Sequence, residues 1–226
     1  MQGQLFDGRF GPTEHTVGFL EAPLDAVTKV VLNPTAVHFP MTSDPFQGAL
    51  AEALNWALPH AYPRDRIVLM ETRSSWTAYF DNGVRGTDAN TVIPALSERN
   101  RWRGLRVTYA RHTYDKKARQ GEFGAVIFAL YGAQVPRGKV NNLQRVVGVV
   151  YEDRWRFEAA GTPLDCEEQD RYSAPQIAQR FTLDDLLRCC RALQIEPFDP
   201  NFYGPGGTLI KIDSPSKHFP LANEAP

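Results

Sequence analysis

With 226 residues, 42% of them hydrophobic and 11% aromatic, the chain can bury a substantial core, which excludes wholesale disorder. Its net charge of −1 hides a segregation: residues 1–98 hold 6 basic and 11 acidic side chains, 99–145 hold 11 and 2, and 146–226 hold 8 and 13. The longest apolar runs, at 125–131 and 146–151, fall far short of the roughly 20 residues that span a bilayer, so a membrane protein of helical type is not expected.

The first residues lack a basic region followed by an apolar one, so no secretory leader is expected. Three cysteines, two of them the adjacent Cys189 and Cys190, do not make a disulfide framework, and the expected location is the reducing cytoplasm.

Residues 1–44 carry glycine, proline and asparagine at short intervals around apolar pieces at 17–20 and 27–32. They read as one or two strands along a sheet edge. His15 and His38 stand alone here, without the neighbours a ligand set needs. Ser43-Asp44-Pro45 predicts a helix start, and Phe46, Ala49, Leu50, Ala53, Leu54 and Ala57 recur at helical spacing before Pro59. Residues 66–72 read as a strand buried on both faces. In the next strand Trp76, Ala78 and Phe80 face one way, Thr77 and Tyr79 the other. Asp81-Asn82-Gly83 predicts a tight turn with positive φ at the glycine, and Asp88 or Asn90 is placed to cap a helix over 91–99 with Pro94 in its first turn.

Leu105, Val107 and Tyr109 alternate with polar residues in a strand, 114–122 is polar and basic and reads as a hairpin tip or a mobile loop, and 123–131 is a central strand. After a turn at 136–139, segments 143–151 and 154–159 form a hairpin about Glu152-Asp153. An acidic loop, a short helix at 175–180 and a helix over 182–193 follow. Thr182 caps the last of these, with Leu183, Leu186, Leu187, Cys190 and Leu193 inward. Residues 197–207 read as an irregular docked segment in which Gly204-Pro205-Gly206-Gly207 turns, and 215–226 as a loose tail. The sum is a single α+β domain over 1–226, a central antiparallel or mixed sheet with helices packed on one face.

No phosphate loop, HExxH, GxSxG or CxxC motif occurs, and no cofactor or metal is expected. Three groups of residues can carry function. Asp81 and Asp88, with His112 as a third member, offer acid–base or cation chemistry; their plainer roles are a turn and a cap. The basic block Arg99, Arg101, Arg103, Arg106, Arg111, Lys116, Lys117 and Arg119, interleaved with Trp102, Tyr109 and Tyr114, offers phosphate neutralisation with stacking. Against nucleic acid stand the pI near 6.5 and the lack of a recognised binding motif. The acidic loop, with Asp165, Glu167, Glu168, Asp170 and the neighbouring Tyr172, offers a surface for a cationic protein partner.

In shape and composition the chain resembles the small α+β immunity proteins that bacteria pair with secreted polymorphic or type VI effector toxins. Residues 76–88, the loop at 165–170 and Asp199-Pro200-Asn201-Phe202-Tyr203-Gly204 carry the likeness, and none of them transfers a functional residue. The resemblance implies a protein without catalysis that binds its cognate toxin and blocks the active site. If the toxin is a nuclease, an acidic surface would mimic nucleic-acid phosphates. The basic block departs from that pattern.

Overall fold

The structure is a computed structural model that describes residues 4–33, 39–133 and 141–219; His38 and the turn expected at 136–139 lie outside them. After two short 3-10 turns the elements are β1 (Thr16–Leu20), α1 (Leu24–Val31), β2 (Met41–Gln47), α2 (Leu50–Ala57), β3 (His60–Tyr62), β4 (Arg66–Thr72), β5 (Thr77–Asp81) and α3 (Ala89–Asn100). Then come β6 (Gly104–Ala110), β7 (Ala125–Tyr131), β8 (Leu143–Tyr151), β9 (Trp155–Gly161), α4 (Leu183–Ala192), β10 (Tyr203–Ile212) and β11 (Lys217–Phe219). Nine strands make one antiparallel sheet in the order β2-β10-β4-β5-β1-β6-β7-β8-β9, while β3 and β11 pair separately. The expected α+β class with an antiparallel sheet is what forms.

Side-chain alternation sorts the sheet into two apolar faces. Val17, Phe19, Val68, Met70, Ala78, Phe80, Leu105, Val107 and Phe128 line one, covered by α2 and α4. Leu20, Ile67, Leu69, Tyr79, Ala129 and Tyr131 line the other, covered by α1 and α3. Helices therefore occupy both faces, not one. Strands with consecutive apolar residues, such as Ile67 to Met70, leave a second apolar surface that water would otherwise meet. Close approach of α3 depends on two glycines: a Cβ at Gly18 or Gly104 would stand 2.6 or 2.8 Å from the Ile93 side chain. The helix lies directly on β1 and β6 there.

Several local expectations hold. β4 spans the expected residues and is buried at Ile67, Val68, Leu69 and Met70, and β8 and β9 pair as a hairpin with Tyr151 opposite Trp155. Thr182 caps α4 through a reciprocal capping box with Asp185.

Others are overturned by long-range pairing. β1 is no edge strand; it lies between β5 and β6 at the centre of the sheet. Residues 27–32 are mostly helical, because Leu24, Val27 and Val31 recur at the three- and four-residue spacing that lays one helical stripe on the sheet. Ser43-Asp44-Pro45 opens no helix. It lies in edge strand β2 with Pro45 opposite Thr208, where a missing N–H is tolerated, and α2 begins at Leu50. The segment expected to be irregular at 197–207 feeds β10, which inserts between β2 and β4. Gly204-Pro205-Gly206-Gly207 is part of that strand, at a register shift between Tyr203 and Gly207. The tail expected to be loose from 215 is ordered through Phe219, where β11 pairs with β3. Residues 220–226 lie outside the described residues.

Candidate functional site

The loop leaving β5 is built around Asp81, whose side chain is fully buried. Asp81 Oδ2 accepts from the Tyr79 hydroxyl at 2.8 Å and the Asp88 amide at 2.8 Å, and Oδ1 accepts from the Gly83 amide at 3.0 Å. Burial raises its pKa, opposed by Arg64 at 3.7 Å and by those amides. Asn82 uses its whole side-chain amide: Oδ1 accepts from the Asp65 and Arg66 amides, and Nδ2 donates to Pro59 O and Asp65 Oδ1. Positive φ falls on Gly86, at 94°, and not on Gly83. Asp88 stands at the N-cap position of α3 but makes no capping bond; its Oδ2 accepts from Arg64 Nη1 at 2.5 Å. The helix thus starts at Ala89, earlier than expected, with Pro94 inside it.

His112 does not join these carboxylates. Its Nδ1 accepts from the Gly124 amide at 3.2 Å, and its ring packs 4.1 Å from Tyr151 and 5.3 Å from Trp155, all on the far hairpins. Among the described residues no group of three or more His, Cys, Asp or Glu is arranged to hold a metal ion. Arg64, Tyr79 and Asp88 do line a cleft of about 540 Å³ between α1 and α3, together with Val30, Ile67 and Leu96 and with the charged Glu98 and Arg99. Arg64 is the residue that sequence reasoning passed over. It sits in a polar stretch before β4, and its partners lie 17 and 24 residues onward.

The acidic loop, a strap running from β9 to α4, turns its central charge inward. Glu167 and Arg145 of β8 have side chains only 0% and 3% exposed, and they meet in a two-point pair at 2.8 and 2.5 Å. Tyr172 donates its hydroxyl to Glu167 Oε2, and the Leu164 amide donates to Oε1 at 2.8 Å. Burial works to raise the Glu167 pKa, but Arg145, Tyr172 and the Leu164 amide outweigh it and hold the carboxylate below its ordinary value. Glu168 pairs with Arg188 at 3.0 Å and Arg171 at 3.6 Å. Of the five residues expected to face a partner, Glu167 and Tyr172 tie down the strap and Glu168 is paired. Only Asp165 and Asp170 are exposed without an ion-pair partner among the described residues.

The basic block separates in the same way. Arg103 pairs with Glu21 at 2.5 and 2.7 Å, Arg106 donates to Asn90 at 2.7 Å, and Arg145 belongs to the buried pair. Trp102 and Tyr109 pack against opposite faces of the sheet, so the expected stacking track is broken. Arg99 and Arg101 stay exposed at the end of α3, and the other outward cations gather at the tip of the β6–β7 hairpin. There Phe123 is 52% exposed and edge-on to Tyr114 at 4.6 Å, and the tip carries Arg111, Lys116, Lys117 and Arg119. The tip is built, not loose. Asp115 Oδ1 accepts from the Lys117 and Ala118 amides, and the Asp115 amide donates to Gln120 O at 2.8 Å. Lys116 Nζ donates to Asp153 O at 3.1 Å and lies 5.7 Å over the Tyr151 ring.

No helix among the described residues is long and apolar enough to cross a membrane. Comparison with protein-family models, curated proteins and solved structures finds no match for this chain.

Proposed function

We propose that this protein is a non-catalytic binding protein of the toxin-neutralising immunity class, and that it meets its protein partner through the β6–β7 hairpin. The observation that supports this reading is exposed Phe123, edge-on to half-buried Tyr114 and carried among Arg111, Lys116, Lys117 and Arg119. Aromatic and arginine side chains concentrate interface energy, and surrounding cations speed association with an acidic surface. The complementary partner is a folded protein with an acidic patch. Shape and composition supply the immunity class. The strap is the weaker docking surface, because its Glu167 and Glu168 already have cations. A catalytic role for Asp81 is disfavoured by three hydrogen bonds that close its own loop.

The test is co-expression with the product of each adjacent gene, scored by growth, with titration calorimetry on any pair that binds. The Phe123→Ala, Arg111→Glu, Lys117→Glu variant is expected to lose rescue and to bind at least ten-fold more weakly, with thermal stability close to the parent's. Full affinity in that variant, with loss in Asp165→Asn, Asp170→Asn, would return the site to the strap. Salt-dependent binding of a single-stranded oligonucleotide by the parent chain would replace the protein partner with nucleic acid.

The cleft between α1 and α3 favours a second reading, a site for a small, mostly apolar molecule whose polar groups meet Arg64 and Asp88 or Glu98 and Arg99. Filling it by Leu96→Trp would abolish thermal stabilisation by such a ligand. A ligand-dependent shift that survives this substitution would place binding elsewhere.

A further inference from the structure

The nine-stranded sheet ends in two edges of different character. At one end is β2. The Gly48 amide donates to Pro205 O and the Asp213 amide to Pro40 O, and bonds in an antiparallel pair alternate along the strand. Residues 41, 43, 45 and 47 therefore turn their main-chain groups outward, and Pro45 breaks that row of donors, which protects the edge. At the other end β9 pairs only with β8 among the described residues. Its register runs unbroken from Tyr151 opposite Trp155 to Arg145 opposite Gly161, with no proline and no bulge. The Glu152 amide donates to Arg154 O and the Thr162 amide to Gln144 O. By the same alternation the main-chain groups of Arg156, Glu158 and Ala160 serve β8, while those of Trp155, Phe157 and Ala159 face away from the sheet. This edge is open.

We propose that β9 is the interface of a homodimer, in which two copies join edge to edge and antiparallel, about a two-fold axis at Phe157, into one continuous sheet. Charge sets the register. Arg154, Arg156 and Glu158 are exposed and alternate with Trp155 and Phe157, which lie on the other face and pack on the core, Phe157 against Tyr172 at 4.9 Å. With the axis at Phe157, that residue meets its own copy through two main-chain bonds, and Trp155 meets Ala159. Arg156 then stands opposite Glu158 of the second copy, twice. Both fall at positions without main-chain bonds across the join, where facing side chains approach most closely. Neighbouring axes lose the match: one at Arg156 or at Glu158 sets like charges face to face, and one at Trp155 sets Arg154 against Arg156. In the single chain Arg156 pairs with exposed Glu152 at 3.0 Å. Solvent screens that pair, so Glu158 of a second copy can replace it. Two-fold pairing closes on itself and leaves no open β9 edge. Lys116 holds the β6–β7 tip beside the β8–β9 turn. Antiparallel joining therefore sends the two tips toward opposite ends of the join and makes the assembly bivalent.

The test is sedimentation velocity on the full chain alone, so it stands apart from the toxin-neutralising function. Concentrations run up to roughly 200 μM, where a dimer with Kd on the order of 10 μM is mostly formed. The parent is expected at twice the monomer mass. Arg156→Glu and Glu158→Arg each set like charges across the join and should weaken self-association about ten-fold or more. The double variant Arg156→Glu, Glu158→Arg restores the match and should dimerise as the parent does. An equimolar mixture of the two single variants should form heterodimers, since each then meets its opposite charge. Both side chains are exposed, so the melting temperatures should stay close to the parent's. Ala159→Pro removes an outward N–H that β8 does not use, and should abolish the dimer while the chain still unfolds cooperatively. A parent that stays monomeric at the highest concentration would overturn the proposal. So would a dimer indifferent to both single reversals, or single variants that fail to recover on mixing.

Discussion

The strap around Glu167 and the hairpin around Phe123 are both dense in charge, and they use it in opposite directions. In the strap, one carboxylate is fully withdrawn from water and meets a buried guanidinium, a hydroxyl and an amide. In the hairpin, the cations stay in solvent around a phenylalanine that is half exposed. The first arrangement is a device of the fold, because a buried ion pair needs every partner in place. The second leaves apolar surface and charge available to another molecule. Charge density in a sequence therefore says little about function until the direction of each side chain is known.

The comparison breaks most easily at Arg145. Arg145→Met leaves Glu167 buried without its cation and should destabilise the chain by about 3–5 kcal/mol, whereas Arg145→Met, Glu167→Leu should recover most of the loss. Chemical denaturation of both variants measures this; a single variant as stable as the parent would remove the strap from the fold's account.

Glu14 sharpens the contrast, because it is a buried carboxyl that has no such cation. Its Oε1 accepts from the Phe10 amide at 3.0 Å, and its Oε2 has no hydrogen-bond partner among the described residues. Burial pushes its pKa up to about 7, opposed by the Phe10 amide and reinforced by Asp7 and Glu122. A folded-state pKa above the unfolded 4.5 means stability that is fully present below pH 4.5 and lost as pH rises through about 7. Glu167 has the opposite sign: its lowered pKa contributes stability above the unfolded value, which is lost as pH falls through the folded one. Glu14→Gln should therefore be more stable than the parent at pH 8, by up to about 3 kcal/mol, and indistinguishable at pH 4. Melting curves at the two pH values decide it, and an equal effect at both would show that Glu14 acts by packing alone.

On the hairpin side, Phe123→Ala should weaken partner binding by about 2 kcal/mol while the melting temperature stays within a degree or so of the parent. A large fall in melting temperature would make the hairpin another internal device. The smallest effect belongs to Arg103, whose pair with Glu21 is 40% and 29% exposed. Arg103→Ala should cost about 1 kcal/mol or less, since solvent screens such pairs, and a greater loss in denaturant titration would point to its packing over Trp76 at 5.4 Å.

Much of the fold was legible because it is written in local periods. Ile67-Val68-Leu69-Met70 can only be a strand covered twice, Trp76, Ala78 and Phe80 alternate onto one face, and Thr182 with Asp185 marks the start of α4. The stretch at 76–88 carries β5 and the N-cap position of α3, and the strand is legible in its alternation. Its details were not available: Asp88 answers to Arg64, 24 residues earlier, and not to its own helix.

The sequence by itself determined the class, most strands of the 66–161 region and the closing helix, since these depend on neighbours one to four residues away. Only the tertiary structure placed β1 at the centre and β10 between β2 and β4, because strand order depends on pairings across the whole chain. It alone also decided which charges are structural. Glu167 meets Arg145 across 22 residues and Glu21 meets Arg103 across 82. Whether a charge is withdrawn from water is set by such distant partners, and composition carries no record of them.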